Sequence, residues 1–468
     1  MTSKPRRALL GAVLGALVAS VALTGCAATL IEGVATPESG ARADVAPADF
    51  PIIGAADDDV DVSARNALAD LNTYWAEQFP DTFGEPFTPL TGGYFSVDPD
   101  DLDPARYPDG RIGCGQEIEA VTGNAFYCTS EPGEPDGDAI QYDRAFLGEL
   151  ADGYGRFIPA LVMAHEFGHA VQGRVGYPIE RSINVETQAD CFAGAWTAWV
   201  AAGDAPHNSI RPGELDDVLR GYLLLRDPVG TGVGESQAHG SYFDRVSAFQ
   251  QGFDDGPVAC RDAFGEERVF TQGRFRDEDL LTGGDAPYAE AQELIEATLP
   301  VFWTAAFQAR GETFQPPRVQ PFSGTAPECS GGEPTTDLVW CAEDATVGYD
   351  ETDLARPIYD AFGDYAVLTA VSIPYALAAR EQLGLSADDE AAIRSAVCLT
   401  GAYTASVLQG GIPGIQISPG DVDESVQFLL ESSSDPAVLD ESGLTGFQLV
   451  DVFRSGVFDG LAACDIGA

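Results

Sequence analysis

Within "LVMAHEFGHAVQG", residues 161–173, stand His165 and His169, two of only four histidines in 468 residues, with Glu166 between them. Histidines four apart share one face of a helix, so their rings can grip one metal ion. Glu166, beside the first, is placed to take a proton from a zinc-activated water and pass it to a leaving amine. A hydrolytic zinc site needs three protein donors and one open position. The third donor is sought downstream, where "SINVETQADCFAGAWTAWVAAG" reads as a helix over 182–202. Glu186 and Asp190 share one face of it. Glu186 suits the third ligand position. Asp190, set in an apolar run, suits a buried carboxylate that accepts the free ring N–H of a ligating histidine. The competing readings are a chance motif on a surface helix and a solvated helix carboxylate.

The elements that hold these residues follow from the neighbouring pattern. "RFIPALVMAHEFGHAVQGRV" has helical apolar periodicity that nothing between Pro159 and Gly173 interrupts. Ahead of it, "FYC" and "IQYD" predict a short sheet. The order of features then recurs. "NTYWAEQFPDTFGEPF" is echoed by "PVFWTAAFQARGETF", "ADCFAGAWTAWV" by "AVCLTGAYTASV", and "FQQGFDDGPVAC" by "FRSGVFDGLAAC", in one order at a nearly constant offset. The chain therefore reads as two tandem copies of one α+β unit, over 62–270 and 288–468, joined through the polar "TQGRFRDEDLLTGGDAP". In the second copy Ile373, Pro374 and Leu377 stand opposite His165, Glu166 and His169. Ile393, Val397 and Gly443 stand opposite Glu186, Asp190 and His239. That copy is degenerate and cannot bind zinc in this way.

If each copy closes its own bridges, the duplication predicts the disulfides Cys114–Cys128, Cys191–Cys260, Cys329–Cys341 and Cys398–Cys464. The ninth cysteine, Cys26, ends an apolar run behind the basic "MTSKPRR", and "LTGC" resembles a bacterial lipobox. The expectation is a lipoprotein signal peptide over 1–25, acylation of Cys26, and a flexible tether over 26–61. The protein then works outside the cytoplasm, anchored to the bacterial cell membrane by lipid in its outer leaflet; an uncleaved apolar anchor would give the same compartment. The formal net charge is −49, from 74 acidic against 25 basic residues. Such a field repels phosphate backbones, which excludes nucleic acid as a partner and keeps the surface solvated.

Taken together, "AHEFGHAVQ", "ETQADCFAGAW" and "AHGSYFDRVSAFQQGFDDG" resemble the bacterial neutral zinc metallopeptidase family over roughly 62–265. The resemblance implies a gluzincin-like fold, His165, His169 and Glu186 as ligands of Zn2+, Glu166 as the catalytic acid/base, and a peptide or protein substrate. It also matches His239, Gly240, Arg245 and Phe249 to a His-Gly followed by an Arg and an aromatic-Gly helix. His239 either donates to the developing oxyanion or packs against the helix that follows, with Tyr242 a weaker donor candidate. His207 reads as an exposed loop residue. The chain departs from the family at Ala170, where members carry a further histidine, and through "RGYLLLRDPVGTGVG". Two other functions fit the motifs: hydrolysis of a non-peptide amide such as one of the cell wall, and a non-catalytic binding or scaffold lipoprotein whose zinc site is vestigial or structural.

Overall fold

The computed structural model describes residues 40–466 apart from 43, 108–109, 115–117, 130–136, 325–328, 330–335 and 440–441. The signal segment 1–25 and Cys26 lie outside the described residues, which belong to one unit, Pro37–Ala468. The first half runs β1 (Gly40–Ala41), α1 (Asp59–Phe83), β2 (Gly93–Val97), α2 (Ile118–Val121), β3 (Ala125–Cys128), β4 (Ala139–Asp143), α3 (Arg144–Tyr154), α4 (Ile158–Val175), α5 (Ser182–Ala201), β5 (Asn208–Ser209), α6 (Leu215–Leu225) and α7 (Tyr242–Asp262). The second runs α8 (Tyr288–Ala309), β6 (Arg318–Phe322), β7 (Leu338–Cys341), β8 (Thr346–Asp350), α9 (Arg356–Ala361), α10 (Asp364–Gln382), α11 (Glu390–Leu408), α12 (Asp421–Ser432) and α13 (Gly446–Asp459).

The two halves build matching sheets. Strand β4 pairs in parallel with β2 and antiparallel with β3, and β8 does the same with β6 and β7. Each central strand ends on an aspartate that caps the helical turn after it. Asp143 accepts from Ala145 N and Phe146 N, and Asp350 from Thr352 N and Asp353 N. The other oxygen reaches back to a loop glycine, Gly123 N at 2.8 Å and Gly324 N at 2.7 Å. All four expected disulfides are present.

Helices α5 and α7 touch backbone to backbone. A methyl group on Gly194 would run into the carbonyl of Phe249, and one on Gly252 into that of Cys191. The second half repeats the arrangement with Gly401 against Phe453 and Gly456 against Cys398. Only a residue without Cβ permits such a crossing.

One expectation needs correcting here. Described residues from Gly40 onward, expected to belong to the flexible tether, are docked. Gly40 and Ala41 pair with Ser209 and Asn208, buried Ala48 donates its N–H to Asn66 Oδ1 at 2.8 Å, and Ile53 N donates to Tyr94 O at 2.8 Å. Backbone groups offered to an open sheet edge dock a low-complexity segment that composition alone marks as loose. The two halves share one continuous apolar core. Phe253 meets Phe447 with ring centroids 5.0 Å apart, and Phe243 stacks on Phe458 at 5.8 Å. Helix α11 includes an 18-residue stretch apolar enough to cross a membrane, yet 72% of that stretch is buried in this core.

Candidate metal centre

Helix α4 enters with Pro159 in its first turn, where a missing N–H costs no hydrogen bond, and carries His165, Glu166 and His169. Helix α5 lies against it at Gly168, where an added Cβ would come within 2.9 Å of Ala189 Cα and 3.0 Å of Ala189 O. That close approach brings the neighbouring turns of α5, bearing Glu186 and Asp190, over the two imidazoles.

Three donor atoms converge. His165 Nε2 and His169 Nε2 are 3.2 Å apart, and Glu186 Oε2 lies 3.4 and 3.5 Å from them. Ligands at about 2.0–2.1 Å around a tetrahedral ion are separated by about 3.3 Å. The triangle therefore fits one face of a zinc tetrahedron and leaves the fourth corner to the cleft. The charges fit as well. Burial opposes a positive charge on His165, but the Asp190, Glu186 and Glu166 carboxylates outweigh it and lift the ring to about 10. The pocket thus favours a cation at this point, and a divalent ion meets that demand.

Each imidazole is held from behind. His165 Nδ1 is 2.8 Å from Asp190 Oδ1, the role the spacing predicts for Asp190. Arg245 of α7 then grips Asp190 with both arms, Nε to Oδ2 and Nη2 to Oδ1, each at 2.8 Å. Burial would raise the Asp190 carboxyl; the Arg245 charge and the His165 ring overcome this and hold it below its ordinary value. Arg245 also donates to the Leu225 carbonyl and lies over the Tyr222 ring. His169 has a neutral support instead, with Nδ1 2.8 Å from Gln172 Oε1. Gln172 in turn donates to Val185 O at 2.7 Å and Gln188 Oε1 at 3.0 Å, and Gln188 to Cys260 O at 3.0 Å.

Glu166 sits beside the ligands without joining them. Its Oε2 accepts the Tyr127 N–H of β3 at 2.8 Å, which fixes the carboxylate against the sheet. Burial, reinforced by Glu186, raises its carboxyl against the pull of the two rings. A carboxylate raised in this way is a better proton acceptor.

The site opens into a cleft of about 1270 Å³, whose lining includes His239. Its side chain is 46% exposed, against 14% for His165. Asp227 holds it, with Oδ1 3.1 Å from His239 Nδ1 and Oδ2 accepting from His239 N at 2.7 Å and Gly240 N at 3.1 Å. Nε2 is thus the nitrogen left for the cleft. Tyr242, the weaker donor candidate, and His207, expected to be an exposed loop residue, fall elsewhere. Tyr242 is buried and donates to Leu219 O at 2.9 Å, because capping of α7 turns that residue into the core. His207 is half-buried, with Nδ1 2.7 Å from Asp70 Oδ1, since β5 brings its loop against α1. In the second half Ile373, Pro374 and Leu377 are buried within α10, an apolar surface where the first half has ligands.

Asp227, Gln172 and the Tyr127 N–H are the functional groups that sequence reasoning missed. Asp227 falls in the stretch that departs from the family pattern, where a lone carboxylate before Pro228 was the available signal.

Comparison with known proteins agrees with this geometry. The model of the family described as "Putative neutral zinc metallopeptidase" matches residues 6–264. The uncharacterized protein YpfJ of Escherichia coli (strain K12) is 29% identical over 180 residues, 33% of this chain and 58% of YpfJ. The uncharacterized proteins Mb2605 of Mycobacterium bovis and Rv2575 of Mycobacterium tuberculosis are 25% identical over 178 residues, 32% of this chain and 58% of each relative. The chain thus spans less than two thirds of the length of these relatives. No solved structure matches it.

Proposed function

Because the chain belongs to the neutral zinc metallopeptidase family, we propose that its first half hydrolyses peptide bonds at a zinc ion held by His165, His169 and Glu186. The carrying observation is the triangle of donor atoms at tetrahedral spacing, with Glu166 beside it and its fourth corner open. Zinc, when bound, supplies a Lewis acid that polarises the scissile carbonyl and makes water acidic enough to attack near neutral pH. The Glu166 carboxylate accepts a proton from the attacking water as its oxygen bonds to the carbonyl carbon. It returns that proton to the amine nitrogen as the C–N bond breaks. Asp190 and Gln172 keep the Nδ1 positions of the two ligand rings occupied, which points each Nε2 at the ion. His239, held through Nδ1 by Asp227, presents Nε2 to the oxygen that gains charge.

The reading extends to the rest of the chain. The second half is a copy of the first without its zinc ligands, a reading supported by the matching sheets, capping aspartates, glycine crossings and disulfides. The protein acts outside the cytoplasm on a lipid anchor at Cys26, a reading that four disulfides support.

The rival, a scaffold with a structural zinc, fits less well because structural sites close all four positions with protein, whereas the described residues bring three donors together here. Zinc content and cleavage of a peptide library, with peptidoglycan fragments in parallel, test the proposal on wild type and Glu166→Gln. We expect one zinc per chain in both and peptide cleavage in the wild type alone. Zinc without Glu166-dependent turnover would establish the scaffold, and turnover of the cell-wall amides alone would reassign the substrate.

A further inference from the structure

A second group of acids lies in the other half, away from the zinc ligands. Oxygens of Asp285, Asp364 and Glu424 all fall within 4.8 Å of one another, and Asp364 and Glu424 are buried. They come from three segments: the linker ahead of α8, the first residue of α10, and α12. Asp421, buried in the first turn of α12, adds its charge to both Asp364 and Glu424.

The protein accounts for only part of that charge. Glu424 Oε2 caps α10, accepting from Tyr365 N at 2.7 Å and Ala366 N at 3.2 Å. Asp364 Oδ2 accepts from Ala286 N at 3.1 Å and Asp421 Oδ2 from Ser418 N at 2.8 Å. Two of the other oxygens, Asp364 Oδ1 and Asp421 Oδ1, are buried and receive no hydrogen bond from any described group, and both residues are more than nine-tenths buried. Two helix N-termini, those of α10 and α12, contribute about half a positive charge each, against four carboxylates. The only lysine is Lys4, and Arg276, the arginine whose charge Asp421 feels, is committed to Asp279 through Nε at 2.9 Å and Nη2 at 3.0 Å. Gly363, with φ 133°, leaves room for the Glu424 carboxylate where a Cβ would overlap it.

We propose that Asp285, Asp364 and Glu424, with Asp421 beside them, bind one divalent cation of the calcium class. Calcium takes six to eight oxygen ligands at about 2.3–2.6 Å, so ligands across the ion are up to about 5 Å apart, which these oxygens match. Backbone carbonyls and water fill the remaining positions. Without the cation, burial raises Asp364 to about 6 and holds Asp421 and Glu424 well above their ordinary values, so protons are the competing way to discharge the cluster. The ion ties the linker between the halves to the starts of α10 and α12, and the site stands whether or not the first half is a peptidase.

The test uses the zinc-loaded full chain in high NaCl, which suppresses diffuse binding to its acidic surface. Calcium is added while thermal unfolding is followed, and Tb3+ luminescence sensitised by nearby tyrosines gives the stoichiometry. We expect one saturable site per chain and a Tm rise of about 3 °C or more at a hundredfold excess of calcium over Kd. Asp364→Asn and Glu424→Gln should lose affinity by about 100-fold or more while melting no lower than wild type in chelator, since each removes a repelling charge. Two results overturn the proposal: no calcium-dependent shift in the wild type, which leaves a proton-sharing cluster, or an undiminished shift in both variants.

Discussion

Asp216 of α6 and Asp423 of α12 perform the same task in opposite directions, each capping a helix that belongs to the other half. Asp423 accepts from Tyr242 N at 3.2 Å and Phe243 N at 2.9 Å, at the start of α7. Asp216 accepts from Gly446 N at 3.0 Å and Phe447 N at 2.7 Å, at the start of α13. Helix N-termini carry unpaired N–H groups and a partial positive charge, so a buried carboxylate satisfies both at once. The exchange joins the halves through their backbones as well as their side chains.

Asp423→Ala should therefore destabilise the half that holds the metal centre, although the residue lies in the other. Losing a cap costs about 1–2 kcal/mol, and Arg226, 2.8 Å from Asp423, loses its partner as well. Denaturant unfolding should show one transition moved to a lower midpoint, whichever half the probe reports. Two separate transitions, with the first half unmoved, would contradict the shared core.

Arg245→Met should act on zinc without touching it. The substitution leaves the buried Asp190 charge without its arginine, with the His165 ring still beside it, which costs about 3–5 kcal/mol of stability. It also frees the carboxylate that orients His165, so zinc affinity should fall by about 10- to 100-fold in competition with a chelator. Arg245→Lys should rescue little, because a single ammonium cannot replace the two-armed grip. Zinc affinity unchanged in Arg245→Met would mean that Asp190 positions His165 unaided.

Gly168→Ala tests whether helix spacing sets the ligand triangle. Its methyl would press on the Ala189 backbone and push α5 away from α4. A stability loss of about 1–3 kcal/mol is expected from the overpacking, with weaker zinc binding because Glu186 travels with α5. A loss of stability with zinc affinity intact would show that Glu186 adapts without help from the crossing.

The seam between the halves also carries a pH response. Arg454 Nη2 lies 2.7 Å from both Asp254 and Asp451. Burial, and then the neighbouring Asp451 charge, push Asp254 up to about 7 despite Arg454. A carboxyl whose pKa is higher folded than unfolded binds its proton more tightly in the folded state. Its contribution is complete below the unfolded value of about 3.9 and is lost as pH rises through about 7. Relative to Asp254→Asn, the wild type should lose stability between about pH 4 and about pH 7 and stay level above that. Parallel stability profiles for the two proteins would rule this out.

How much of this was readable from residue order depends on the range of the interaction. The α4 and α5 ligand sets were legible because helical spacing alone places His165 with His169 and Glu186 with Asp190. The disulfides were legible because the pattern repeats, which cuts the possible pairings to those within each half. Groups fixed by distant partners were not legible. His207 depends on Asp70 and His239 on Asp227, and nothing local announces either pairing. Arg245 stood out only through the family pattern; its grip on Asp190 spans α5 and α7 and needed the glycine crossing of those helices to be known. Docking of residues 40–53 was hidden for another reason: it rests on backbone hydrogen bonds, which side-chain composition does not encode.

The common core separates what is inherited from what can fold alone. The family-matched stretch ends at residue 264, yet a chain cut there would expose Phe253 and Phe243, which pack against Phe447 and Phe458, and would leave the start of α7 without Asp423. Once the two halves are merged, the half without counterparts of His165, His169 and Glu186 is no longer free to drift or be shed. Every substitution along the seam is constrained by a first half whose candidate metal centre it never touches, so the shape of the second half is held by packing that its own residues share.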